Sequence, residues 1–323
     1  MTTSVTLSTR PPEQPPRPGT RRRTWHLRAN AVVIAYLALA VLVIPLRDGL
    51  PVPRWLAIHL LLLGAVTNAI VTWSEHFAVA LLRAANPSQR RSAVRLAGLN
   101  VAIVGVLVGV SYDLSILTIA AATVLVVVVG AHLTSLVLIA RGALQGRFAG
   151  TVRFYLAGGV ALIVGVVLGT LLALGVGGMA HHDPMHAAHV HANVFGWIGL
   201  TVLGTLFTLW PTVLRTRMVD GVMRAAHWCL VLTVAGLTIT VTALILSAPA
   251  VAAVGMTVYA VGLGFALKPF LSTWRRKSPH DAASWSMAAA TTWLLVGVVA
   301  DVVLLVGSEG IDAYLTHLDA LVP

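Results

Sequence analysis

The chain has little charge. Asp, Glu, Lys and Arg make up only 10% of its 323 residues, whereas a soluble domain carries about 25%. Hydrophobic residues make up 58% and the mean hydropathy is +0.88. This composition excludes a water-soluble globule, and in lipid the backbone must satisfy its own hydrogen bonds, which favours helices. Cysteine is nearly absent. Cys229 stands alone, so an internal disulfide and a paired-cysteine zinc site are excluded, and within an apolar stretch it reads as a small packing residue. There is no Gly-rich phosphate-binding loop and no Ser/His/Asp constellation. No small-residue cleavage site precedes Pro45 and Arg47, so the apolar run 31–46 reads as a retained helix rather than a signal peptide.

What is present is a series of apolar runs long enough to span a bilayer. They predict helices at about 30–46, 55–82, 94–111, 114–140, 153–178, 189–214, 226–247, 250–272 and 284–307. The expected fold is an all-α, polytopic transmembrane bundle of about nine helices. Residues 1–29, rich in Pro and Arg and without apolar periodicity, are expected to be a disordered cytoplasmic tail. Residues 30–307 form the transmembrane domain, and 308–323 an extracytoplasmic tail. All Lys and Arg except Arg47 and Arg54 fall in the tail or in alternate loops. The positive-inside rule therefore places the N-terminus in the cytoplasm and the C-terminus outside. The net charge of +11 orients the chain and meets anionic lipid; nucleic acid is not expected as a partner.

Histidine is concentrated. Five of the twelve lie in one short stretch, His181, His182, His186, His189 and His191, with Met179 and Met185 among them. Imidazole with thioether suits copper, and imidazole also suits haem iron. Pro184 is expected to limit any helix here to a first turn, leaving His181 and His182 in a loop on the outer face. His59 lies near the same face, and His76 and His132 near the opposite one. His59 and His76 are about 25 Å apart along one helix, too far to share a metal.

A shift of 132 residues lays His59 on His191, Gly64 on Gly196 and Arg83 on Arg215, which suggests a four-helix repeat. The segment HANVFGWIGLTVLGTLFTLWP that carries the second copy resembles the His-bearing helices of the haem–copper oxidase subunit I superfamily and NnrS-type membrane proteins. It is also similar to membrane modules preceding copper-oxidase domains in some actinobacterial proteins. The resemblance implies four-helix units around a pseudo-threefold axis, with metal-binding histidines on helices two, six and ten, in a bacterial plasma membrane. The sequence departs from that pattern in three ways. It has about nine helices rather than twelve, no His-His pair inside a predicted helix and no His-x-x-x-Tyr pattern. A complete oxygen-reducing centre is therefore not expected.

The expected sites follow. His59 and His191 would ligate one haem b, because a lone imidazole in lipid needs a polar partner. Hydrogen bonds to a carbonyl or carboxylate would also satisfy them. His181, His182, Met185, His186 and His189 would form an outer copper site, or else a solvated loop. Asp301, an intramembrane carboxylate, would orient a histidine from behind. His76 and His132 form a secondary inner pair. The expected function is haem-based electron transfer near the outer face, from quinol or to an extracytoplasmic copper protein. The alternatives are a copper transporter or insertion factor, and a metal-free anchor or assembly subunit.

Overall fold

The computed structural model describes residues 18–142 and 149–320. It is built from helices: α1 (Pro18–Leu46), α2 (Pro53–Leu82), α3 (Gln89–Ser111), α4 (Ser115–Arg141), α5 (Ala149–Ala173), α6 (Met179–Val213), α7 (Val222–Ile245), α8 (Pro249–Arg276), α9 (Ala282–Gly307) and α10 (Ile311–Ala320). Among the described residues, nine are long and apolar enough to cross a membrane. The protein is an all-α polytopic bundle. The outermost tail residues 1–17, the basic loop carrying Arg147, and residues 321–323 lie outside the described residues.

Three boundaries depart from expectation. First, α1 starts at Pro18, well inside the segment read as disordered. No proline interrupts the chain between Pro18 and Pro45, arginine is a good helix former, and proline suits a helix start. Second, residues 311–320, expected as tail, form α10, whose Tyr314 is fully buried. Third, α6 begins at Met179, so all five clustered histidines are helical. Pro184 is the sixth residue of that helix and forgoes only one bond, to the Ala180 carbonyl, at an exposed end where water can serve. At 35 residues α6 is roughly 50 Å long, well beyond a hydrocarbon core of about 30 Å. Its histidine-bearing N-terminal part thus reaches or passes the bilayer boundary.

The repeat is visible in the backbone. α1–α4 and α5–α8 follow one another in the same pattern, and α3 with α4, like α7 with α8, forms an extensively packed hairpin. The hairpin turns carry Asp113 and Ser247 in left-handed conformation, φ 53° and 55°. Arg83 and Arg215, equivalent by the 132-residue shift, both have φ 51° and end their helices. Most tellingly, α2 is π-wound over Leu60–Val66 and α6 over Ala192–Leu200. Each π segment starts directly after the equivalent histidine, His59 or His191.

Wide π turns strand backbone carbonyls, which lipid cannot satisfy. In α2 the Thr67 hydroxyl donates to the Leu62 carbonyl (3.1 Å) and the Asn68 amide to the Gly64 carbonyl (2.8 Å). Asn68 and Asn100 of α3 also exchange amide hydrogen bonds, at 3.2 and 2.9 Å. In α6 the Tyr259 hydroxyl, from α8, donates to the Phe195 carbonyl at 3.0 Å. The two π regions are tied together where Trp197 Nε1–H donates to Thr67 Oγ1 (3.1 Å). Trp197 is therefore a buried strut between the halves.

Candidate metal centre at the histidine-bearing ends of α2 and α6

Two residues apart on a helix, His189 and His191 must face opposite ways. His189 faces α5 and α2. Its Nδ1–H donates to the Gly165 carbonyl of α5 at 2.8 Å, and its ring lies 6.3 Å from that of His59, with the planes 27° apart. His59 in turn donates Nδ1–H to the Trp55 carbonyl one turn earlier (2.8 Å) and stacks on the Trp55 ring at 4.1 Å. A carbonyl only accepts, so both rings carry their proton on Nδ1 and present Nε2 as the lone-pair nitrogen. This tautomer, fixed by backbone partners, leaves Nε2 able to bind a metal.

Room for the His189 ring comes from α5. A Cβ on Gly169 would come within 2.7 Å of His189 Cε1, and one on Gly165 within 2.4 Å of the Asn193 amide. Asn193 itself donates to the His189 carbonyl at 2.8 Å. The G-x-x-x-G spacing that lets helices approach closely is here the floor of an imidazole pocket.

His191 faces α9. Its Nδ1 donates to the Ala187 carbonyl (2.8 Å), and its Nε2 lies 3.0 Å from Asp301 Oδ2. The other carboxylate oxygen accepts from the Tyr314 hydroxyl of α10 at 2.6 Å. The carboxylate expected to orient a histidine does contact one, and all three side chains are buried. Both ring nitrogens of His191 are engaged within the chain. The structure thus pairs His59 with His189, not with His191.

The remaining expected copper ligands are spread along α6. His186, one turn from His189, is within electrostatic reach of His59 and His189. The His182 ring lies 6.2 Å from that of His186, and its Nδ1 meets the Asp183 carboxylate at 3.1 Å. His181 is exposed and bonds the Gly177 carbonyl, while Met185 packs against the large apolar cluster of α5–α10. Among the described residues no group of three or more His, Cys, Asp or Glu side chains is drawn together as ligands of one ion.

The inner histidines are not brought to one another. His132 is buried and meets Ser74 Oγ at 3.0 Å through Nε2, while its Nδ1 has no partner. His76 sits edge-on to His26 (4.7 Å), whose ring stacks on Trp73 at 5.2 Å. His26 escaped the sequence reading because it lies in the segment taken for a disordered tail. Tyr314 escaped likewise, in the segment taken for the other tail. Comparison of the sequence with protein-family models and with curated proteins finds no match.

Proposed function

We propose that the protein is a haem-carrying electron-transfer protein whose iron is held by His59 and His189 between α2 and α6. The observation that supports this reading is the shared tautomer of the two rings. Both commit Nδ1–H to a carbonyl, so both offer Nε2. The spacing suits a shared metal: two imidazoles on one ion have centroids about 6 Å apart, two bonds of about 2 Å plus the ring radii. Haem iron brings four nitrogens of its own, so two histidines complete its ligand set, whereas a bare copper ion needs further protein ligands. His191, with both nitrogens used, does not fit the same role.

A haem held by these two histidines would supply one-electron chemistry. The chain's contribution is to fix the rings, to shield them with apolar side chains and to hold them at one membrane face. In this reading that face is the outer one of a bacterial plasma membrane and the N-terminus is cytoplasmic, an orientation that the distribution of basic residues supports. Membrane quinol as donor and an extracytoplasmic copper protein as acceptor complete the proposed role. The π segments after His59 and His191, and the resemblance of the second to haem–copper oxidase helices, support a cofactor-binding origin for both positions.

The test is a reduced-minus-oxidised visible spectrum, with haem and metal analysis, of protein made with ample haem. A sharp b-type alpha band is expected. His59→Ala or His189→Ala should abolish it or render the iron high-spin, whereas His191→Ala should leave the ligation intact. A wild-type protein with no Soret band ends the proposal, and copper bound in its place favours the copper-handling alternative. A band lost only in His191→Ala would return the site to His191.

A further inference from the structure

A cavity of about 960 Å³ opens between the basic-loop ends of α3 and α4. Its rim carries Arg90 and Arg91, both exposed. Its wall toward the bundle carries Arg95, and its apolar side is formed by residues such as Gly98, Val128 and Ala131. The volume matches that of pockets which bury a sizeable organic ligand.

The charges within it are unequal. The Arg95 guanidinium pairs with the Glu75 carboxylate, which also accepts from Ser92 (2.7 Å) and Ser135 (3.1 Å). That pair is neutral as a unit. Yet Arg95, with a side chain only 10% exposed, keeps its Nε buried and without an acceptor. A buried N–H left unsatisfied is costly, and most so where lipid rather than water lies beyond. Arg90 and Arg91 form no ion pair among the described residues, so the rim carries two uncompensated positive charges.

We propose that this cavity binds an anionic phospholipid, with the phosphate at Arg90 and Arg91, the Arg95 Nε–H joining it when that side chain turns toward the cavity, and acyl chains along the α3–α4 wall. Basic pockets between membrane helices at a basic face recognise such headgroups. A free phosphate would leave the apolar wall unused. A quinone has no charge to meet the two arginines. The site lies at the end of the bundle opposite the His59–His189 pair, and does not depend on it.

The experiment uses the full-length protein in a neutral detergent, titrated with a phosphatidylglycerol or a phosphatidylcholine. Bound lipid is counted by native mass spectrometry, and thermal unfolding is followed in parallel. Phosphatidylglycerol should bind at one site per chain and raise the unfolding midpoint, and phosphatidylcholine should do neither. Arg90→Gln with Arg91→Gln should weaken binding roughly 30-fold, at about fivefold per arginine. Arg275→Gln with Arg276→Gln, on the same face but outside the cavity, should change little. Ala131→Phe obstructs the apolar wall without touching a charge and should also weaken binding. Several results overturn the proposal: equal effects of the two arginine pairs, equal binding of the two lipids, inorganic phosphate matching the lipid, a quinone displacing it, or full affinity in Ala131→Phe.

Discussion

Asp301 and His191, 110 residues apart in sequence, meet at 3.0 Å with side chains 6% and 1% exposed. A buried carboxylate is expensive unless both its oxygens are satisfied. Here His191 holds one and the Tyr314 hydroxyl the other. This trio fastens α9 and α10 to α6, and α9 otherwise shows most of its surface outward.

Removing one partner of such a pair strands the other. Asp301→Ala should therefore destabilise the fold by about 3–5 kcal/mol. His191→Phe should cost a similar amount. The double variant should cost less than the sum, with a coupling of about 0.5–3 kcal/mol. Unfolding in mixed micelles measures all three, and strict additivity would mean that the pair does not interact as described.

Tyr314 lies outside the membrane-spanning helices. Burial, and then the neighbouring Asp301, push its phenol far above the ordinary value of 10.0. The folded state thus keeps a proton that the unfolded state releases. This contribution is intact below about pH 10 and declines as the pH rises beyond it. Tyr314→Phe should cost about 1–3 kcal/mol at pH 7 by leaving Asp301 Oδ1 without its donor. The difference between wild type and variant should shrink between pH 10 and 11. A constant difference across that range would exclude this account of Tyr314.

The number of spans was legible in the sequence because hydrocarbon thickness fixes how long an apolar run must be. The kinship of α2 and α6 was legible too, through His59, Gly64 and Arg83 and their counterparts. Rotation of a helix about its axis was not. A membrane helix is apolar all round, so nothing in its hydrophobic pattern says whether His189 or His191 faces a partner. The repeat pointed to His191, yet the structure brings His189 to His59. The missing signal sat on a different helix: Gly169 of α5 leaves space for the His189 ring, and Gly165 for the Asn193 amide beside it. Tyr314 was hidden for another reason: α10 is short and amphipathic, and length alone did not mark it as part of the bundle.

Alternate crossing places Tyr112, Leu246 and Glu309 on the histidine-bearing face, and Asn86 on the opposite, basic one. All four are exposed. Single cysteines at these sites, in a Cys229→Ser background, should react with an impermeant maleimide applied to intact cells at the first three and not at Asn86. Labelling at Asn86 alone would invert the orientation. A mixed pattern among the first three would remove a span.

Gly169 offers no ligand of its own, yet it shapes the pocket that holds one. Gly169 lies in α5, and a Cβ there would sit 2.7 Å from His189 Cε1 and 3.0 Å from His189 Nδ1. The alanine side chain can be accommodated only if the imidazole swings away, which breaks its 2.8 Å bond to the Gly165 carbonyl and shifts its Nε2. Overpacking of this kind costs about 1–3 kcal/mol, which a chain of this size can survive. Gly169→Ala should therefore insert and fold, yet lose haem or shift its iron toward high spin, because only the second ligand has moved. Gly130→Ala in α4 is the control. Its Cβ would meet nothing within 4 Å, so it should leave the spectrum unchanged and, by helix propensity, stabilise slightly. Haem content, the alpha-band shape and the unfolding midpoint are measured on both variants. An unaltered spectrum in Gly169→Ala would mean that the His189 ring is not held where the iron needs it, and the assignment of His189 would fall even if His59 proved essential.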